Sequence, residues 1–248
     1  KRVRDVAWQF EQIRAAITTI WPWVKGDLDR PVLVVAAKDE NTMKLLVPQY
    51  WEQRGGLRPD SVFVTGPDPH YVALRADARS EDTNAINPYS TSYWAYRALL
   101  LDASFDRDLP LWLRNGLAGL LSNTIVRENE IRLGMAPPWY MRTISNESRL
   151  RLSQLFTMDA SAPYYRDPAT RGRFDAQAWA VVHSLLLGSP ELSAKVDALI
   201  KGAIAGTPPL EAAQQARGDF DALEGAYMLH GREEVVPFTR IKTETKIA

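Results

Sequence analysis

Residues 87–122 read NPYSTSYWAYRALLLDASFDRDLPLWLRNGLAGLLS. Two apolar, helix-forming segments flank a short charged loop, Ser104 to Asp108. Asn87-Pro88 is a helix start: asparagine suits the N-cap, and proline suits the first helical position, where its missing N–H is not needed. The pattern predicts one helix from there to about Ala103 and a second from Leu109-Pro110 to near Asn123.

Working outward, Val6, Phe10, Ile13, Ile17 and Ile20 recur at helical spacing and predict an amphipathic helix over Val3–Ile20. Pro31–Ala36 (PVLVVA) is a β-branched run and reads as a strand. Asp39 or Asn41 caps a predicted helix running to Trp51 and Gln53, which Gly55-Gly56 stops. Ser61–Thr65 and Tyr71–Arg75 read as strands around the turn Gly66-Pro67-Asp68-Pro69. Beyond the central pair, Thr124–Leu133 reads as a strand pair or an extended segment. Helices are expected at Ser145–Met158, Phe174–Leu187, Ser189–Ala205 and Pro209–Tyr227, and the tail from Glu233 alternates like a strand. Strands early and helices late predict an α+β fold with a small, mostly antiparallel N-terminal sheet. The expected organisation is a single domain over 1–248: a sheet-containing lobe at 1–86, a helical lobe at 87–232 and a tail at 233–248.

Composition narrows the function classes. The chain has 248 residues, 46% of them hydrophobic, with 30 basic and 30 acidic side chains. That suffices for a sizeable core. A neutral balance supplies no electrostatic reason for a nucleic acid or an anionic membrane as partner. The absence of cysteine removes disulfides, thiolate catalysis and Cys-ligated metals. No apolar run approaches the roughly 18 residues that a membrane span requires. The first residue is lysine, so a processed or trimmed chain is expected, with any signal peptide outside it.

The frame of residues 87–122 resembles the peptidase-MA-like families of the gluzincin zinc metallopeptidases. Those families carry H-E-x-x-H on one helix and a stretch like L-P-x-W-L-x-E-G-L-A-E on the next. Leu109, Pro110, Trp112, Leu113, Gly116, Leu117 and Ala118 match that frame, and Trp179-Ala180-Val181-Val182-His183 resembles the helix packed behind the site. The resemblance covers most of residues 1–230, with sharp motifs only in 87–122 and 174–188. In such a site two histidines one turn apart grip a zinc ion, and the glutamate takes a proton from the metal-bound water.

At each chemical position this chain departs from the pattern. Aligned with the family, Tyr93 stands at the first histidine, Trp94 at the catalytic glutamate, Arg97 at the second histidine and Asn115 at the third ligand; Gly119 replaces the outer glutamate. Residues 88–101 contain no histidine and no glutamate, so a shift of one residue does not restore the motif. Arginine is a fixed cation and cannot ligate a divalent metal. The resemblance therefore implies a metallopeptidase-like domain without metal, cofactor or catalytic residues.

The other constellations are weak. His70, His183 and His230 are the only histidines and are far apart; His183 is expected to be a hydrogen-bonded structural histidine, or else to border the old cleft. There is no G-x-S-x-G elbow, and nothing singles out Ser90, Ser92 or Ser122. Asp102, Asp106 and Asp108 read as a solvated loop cluster beside Arg107. The aromatics Tyr89, Tyr93, Trp94, Tyr96, Trp112, Trp139, Tyr140, Tyr164 and Tyr165 either fill the core or form a stacking platform, and Trp139 and Tyr140 are the candidates for lining a cleft. The expected function is that of a noncatalytic pseudopeptidase which binds a protein or peptide, or acts as a scaffold in a larger exported bacterial protein or complex. The alternatives are a zinc-independent enzyme reusing the cleft and a purely structural domain.

Overall fold

The computed structural model describes residues 2–21, 24–52, 58–78, 88–105, 109–126, 130–146, 148–188, 200–202, 205–208, 211, 220–229 and 236–242. Helices and two small sheets make it α+β. The chain divides into two compact units, Lys1–Ala103 and Ser104–Thr243. The helix of Tyr93 and Arg97 falls in the first of these units, with the sheet of residues 32–75.

In the first unit, α1 (Arg2–Ile20) buries Val6, Phe10, Ile13 and Ile17 along one stripe, as the spacing predicts. The sheet is β1 (Val32–Ala37), β2 (Ser61–Val64) and β3 (His70–Arg75), in the order β1-β3-β2. β3 is antiparallel to β2 and parallel to β1, with Val34 opposite Val72. The expectation of a mostly antiparallel sheet is thus corrected to a mixed one. The crossover from β1 to β3 passes through α2 (Glu40–Leu46), α3 (Gln49–Glu52) and then β2, and β2 is the segment that runs back antiparallel, so that β3 returns parallel to β1. Met43 and Val47 pack with Ala37, Val62 and Ala73, so the crossover covers one end of that sheet face. Asp39 caps α2 by accepting from the Thr42 amide at 2.9 Å. The single helix predicted here is broken at Val47-Pro48, because proline disfavours helical backbone in the residue before it.

The helix α4 (Ser90–Ala103) completes this unit. Tyr89 donates to the Arg75 carbonyl at 2.8 Å, and Phe10 meets the rings of Tyr93 and Tyr96 at 4.7 and 5.0 Å. The predicted cap, Asn87, lies outside the described residues.

The second unit is built on α5 (Leu111–Ser122) and α9 (Pro168–Leu187). They approach closely at Gly116, where a Cβ would stand 2.5 Å from the Ala178 carbonyl oxygen and 2.4 Å from Val182. Trp112 stacks on Phe156 of α7 (Leu152–Thr157) with centroids 4.3 Å apart. Leu117, Leu120, Leu121, Phe174 and Trp179 are buried with them. A second, antiparallel sheet joins β4 (Ile125–Val126), β5 (Glu130–Leu133) and β6 (Thr239–Lys242), so the tail does contribute a strand.

Two helix expectations change. Pro138 starts α6 (Pro138–Asn146), and α7 follows separately, in place of one helix over 145–158. Between them, the Leu150 amide donates to Gln177 Oε1 at 2.7 Å and the Arg149 guanidinium donates to the Tyr227 carbonyl, holding this backbone away from helix. α9 starts six residues before Phe174, because Asp167 caps it and accepts from the Ala169 amide at 2.9 Å. The short α8 (Pro163–Arg166) precedes it, and Tyr227 lies on α10 (Phe220–Leu229). Most of the predicted helix over 189–205 and the first part of that over 209–227 lie outside the described residues.

Candidate functional site

The motif positions are divided between the two units. In the first, α4 sets Tyr93 and Arg97 one turn apart on one face. Tyr93 is buried and donates from its hydroxyl to Gln9 Oε1 at 2.5 Å. The Arg97 guanidinium carbon lies 5.4 Å from the centre of the Tyr93 ring. Arg97 is 0% exposed, and burial pushes its guanidinium down to about 9. None of its three side-chain nitrogens has a hydrogen-bond partner among the described residues. Trp94 is half-buried, as is Leu99, whereas Tyr96 and Leu100 are buried. Burial, with the charges of Glu11 behind it, pushes the Tyr96 hydroxyl up to about 12.

In the second unit, α5 carries Asn115, which is 2% exposed. Its amide donates to Tyr165 Oη at 3.0 Å and to Asp175 Oδ1 at 2.8 Å. Asp175 is half-buried, and desolvation holds its carboxyl above the usual carboxylate range, against the lowering effects of the Asn115 bond and the charge of Arg171. The Arg171 guanidinium lies 4.7 Å above the Tyr165 ring. Burial and then the Asp175 charge raise the pKa of the Tyr140 hydroxyl. A Cβ at Gly119 would stand 3.2 Å from the Tyr140 ring and 3.3 Å from Trp179 Cβ. The space a longer side chain would enter is therefore occupied by these aromatics.

The residues at the positions aligned with a zinc site do not fit a zinc ion. A guanidinium repels the metal, and a tryptophan supplies no basic atom. The Asn115 amide nitrogen carries two hydrogens and has both committed. Among the described residues, no group of three or more His, Cys, Asp or Glu is placed to share a metal ion.

His183 is fully buried, its ring tilted against Trp179 with centres 4.7 Å apart, and its Nε2 donates to the Gly134 carbonyl at 3.0 Å. Gly134 has φ +81°, a conformation that favours glycine. Tyr140 is buried, whereas Trp139, packed against it at 3.9 Å, is 36% exposed. His70 is buried in the first sheet against Phe63, and His230, Asp106 and Asp108 lie outside the described residues. Ser122 donates to the Gly119 carbonyl, the Ser92 hydroxyl is buried, and Asp102 is exposed. Of the aligned positions, Asn115 joins a polar group with Asp175 and Tyr165; from the sequence alone Tyr165 is named only among the aromatics and Asp175 is not singled out. The one sequence signal for Asp175 is its spacing, four residues before Trp179 and eight before His183 on the same helix.

No family model, curated protein or solved structure matches the chain.

Proposed function

We propose that this chain is a noncatalytic, metallopeptidase-like domain that binds an extended polypeptide or scaffolds a larger assembly. The observation that carries the reading is Asn115. At the position aligned with a metal ligand stands a buried amide whose two hydrogens are spent on Tyr165 and Asp175. Such a group serves structure, and it replaces the donor that a metal-activated water would require. Binding is supported by the exposed edge of the same unit. Trp139, the half-buried Tyr165 and the exposed Arg171 offer aromatic area and hydrogen-bond donors, the mixture that suits a polypeptide's apolar and carbonyl groups.

The test uses the full chain and a fluorescently labelled unstructured polypeptide. Expected are an anisotropy increase insensitive to chelator, no cleavage, and no stoichiometric zinc by elemental analysis after dialysis. About one zinc per chain, together with chelator-sensitive cleavage, would overturn the noncatalytic assignment; an unchanged anisotropy would remove the polypeptide. A second reading, a zinc-independent enzyme, is favoured by Asp175, a half-buried carboxyl with a raised pKa beside tyrosine hydroxyls. Chelator-insensitive turnover lost in Asp175→Asn would move the assignment to it.

A further inference from the structure

We propose that Arg97 is the seat of a bound carboxylate. The inference starts from enclosure. A charged guanidinium that leaves water must be paired or fully hydrogen-bonded, because desolvating an unpaired charge costs several kcal/mol even after the protein relaxes. Arg97 is 0% exposed, and Nε, Nη1 and Nη2 are all without a hydrogen-bond partner among the described residues. It remains protonated at neutral pH, since arginine does not give up its proton there.

The described neighbours of the cation indicate which chemistry complements it. Tyr93 and Arg97 occupy one face of α4, and the Tyr93 ring is itself held by Phe10 and Gln9 of α1. The ring faces the guanidinium carbon at 5.4 Å. A ring face attracts the cation but accepts none of the in-plane N–H groups. Among the described residues no carboxylate acts on Arg97, and the titratable neighbour whose charge bears on it is Tyr93. The site thus has a positive centre, an aromatic floor and five N–H donors in a planar fork. A carboxylate, planar and with two oxygens, complements that fork through two parallel hydrogen bonds. The carboxylate can come from a free small acid or from the C-terminus of a peptide. The inference does not rest on the polypeptide-binding reading.

The experiment uses the full chain exchanged into carboxylate-free buffer at constant ionic strength. Acetate is the probe, acetamide its neutral counterpart, and the Arg97 Nε–H resonance of 15N-arginine-labelled protein the direct readout. Acetate is expected to shift that resonance saturably and to raise Tm, with acetamide doing neither. Arg97→Lys, which keeps the charge and loses the fork, should bind acetate at least tenfold more weakly. Arg97→Met should be insensitive to acetate and more stable than the wild type when acetate is absent. A short peptide with a free C-terminus, set against its amide, separates the two sources: a response to acetate alone assigns a free acid, and a response also to the free-carboxyl peptide assigns a terminus. An Arg97 resonance unmoved by acetate overturns the proposal, even if neither variant folds. So does an acetate-dependent Tm that persists in Arg97→Met.

Discussion

Replacing Asn115 with leucine keeps the approximate volume of the side chain and removes both donors. Two hydrogen bonds are lost, one to the Asp175 carboxylate and one to the Tyr165 hydroxyl. A bond to a charged group contributes about 1.5–3 kcal/mol and a neutral one about 0.5–1.5 kcal/mol. Asp175 keeps some contact with water, which draws its part toward the low end, so the expected loss is about 2–4 kcal/mol at neutral pH. The loss should depend on pH in a definite direction. The folded pKa of Asp175 lies above its model value of 3.8. Ionising it therefore opposes folding, and stability falls as pH rises from 3.8 through the folded pKa before levelling. Removing Asn115 takes away a lowering influence and raises the folded pKa further. The penalty of Asn115→Leu should accordingly be smallest in acid and grow over that rise. Urea unfolding of wild type and variant at several pH values measures this, with Tyr165→Phe, expected to cost about 0.5–1.5 kcal/mol, isolating the neutral bond. A penalty below about 0.5 kcal/mol that stays flat with pH would refute the reasoning, because a buried donor pair cannot be both real and that weak.

Other expectations follow from packing and titration. Trp112→Ala should cost about 3–5 kcal/mol, since the ring is buried and stacked on Phe156; chemical denaturation checks it, and a near-neutral variant would mean that the register of α5 is wrong. Gly116→Ala forces a methyl against the Ala178 carbonyl and Val182, so α5 and α9 must separate, at about 1–3 kcal/mol read as a lower Tm. Desolvation and the nearby Arg30 charge lower the folded pKa of His70 below 6.5. Its contribution is complete above 6.5 and is lost as pH falls from there through the folded value. His70→Phe should flatten the stability profile over that window, and an unchanged slope would count against it.

Residues 87–122, read alone, specify a helix, a break and a second helix, and the structure has both. The stripe of α1, the first three strands and the α+β class are equally local in origin: periodicity and turn chemistry act over a few residues, so they can be read along the chain. The departures at Tyr93, Trp94, Arg97, Asn115 and Gly119 are likewise facts of sequence. Their surroundings are not. Asn115 finds Asp175 across 60 positions and Tyr165 across 50, and no periodicity encodes a partner so distant. The same holds for the split of 145–158 into two helices, drawn apart by bonds to Gln177 and Tyr227. β1 lies parallel to β3 because β2 runs back antiparallel and pairs on the far side of β3, a choice among strand orders that alternating residues leave open. Most telling is Arg97. Its residue type excludes it as a metal ligand from sequence alone, while its complete enclosure, which turns it into a demand for an anion, arises only when the chain packs around α4.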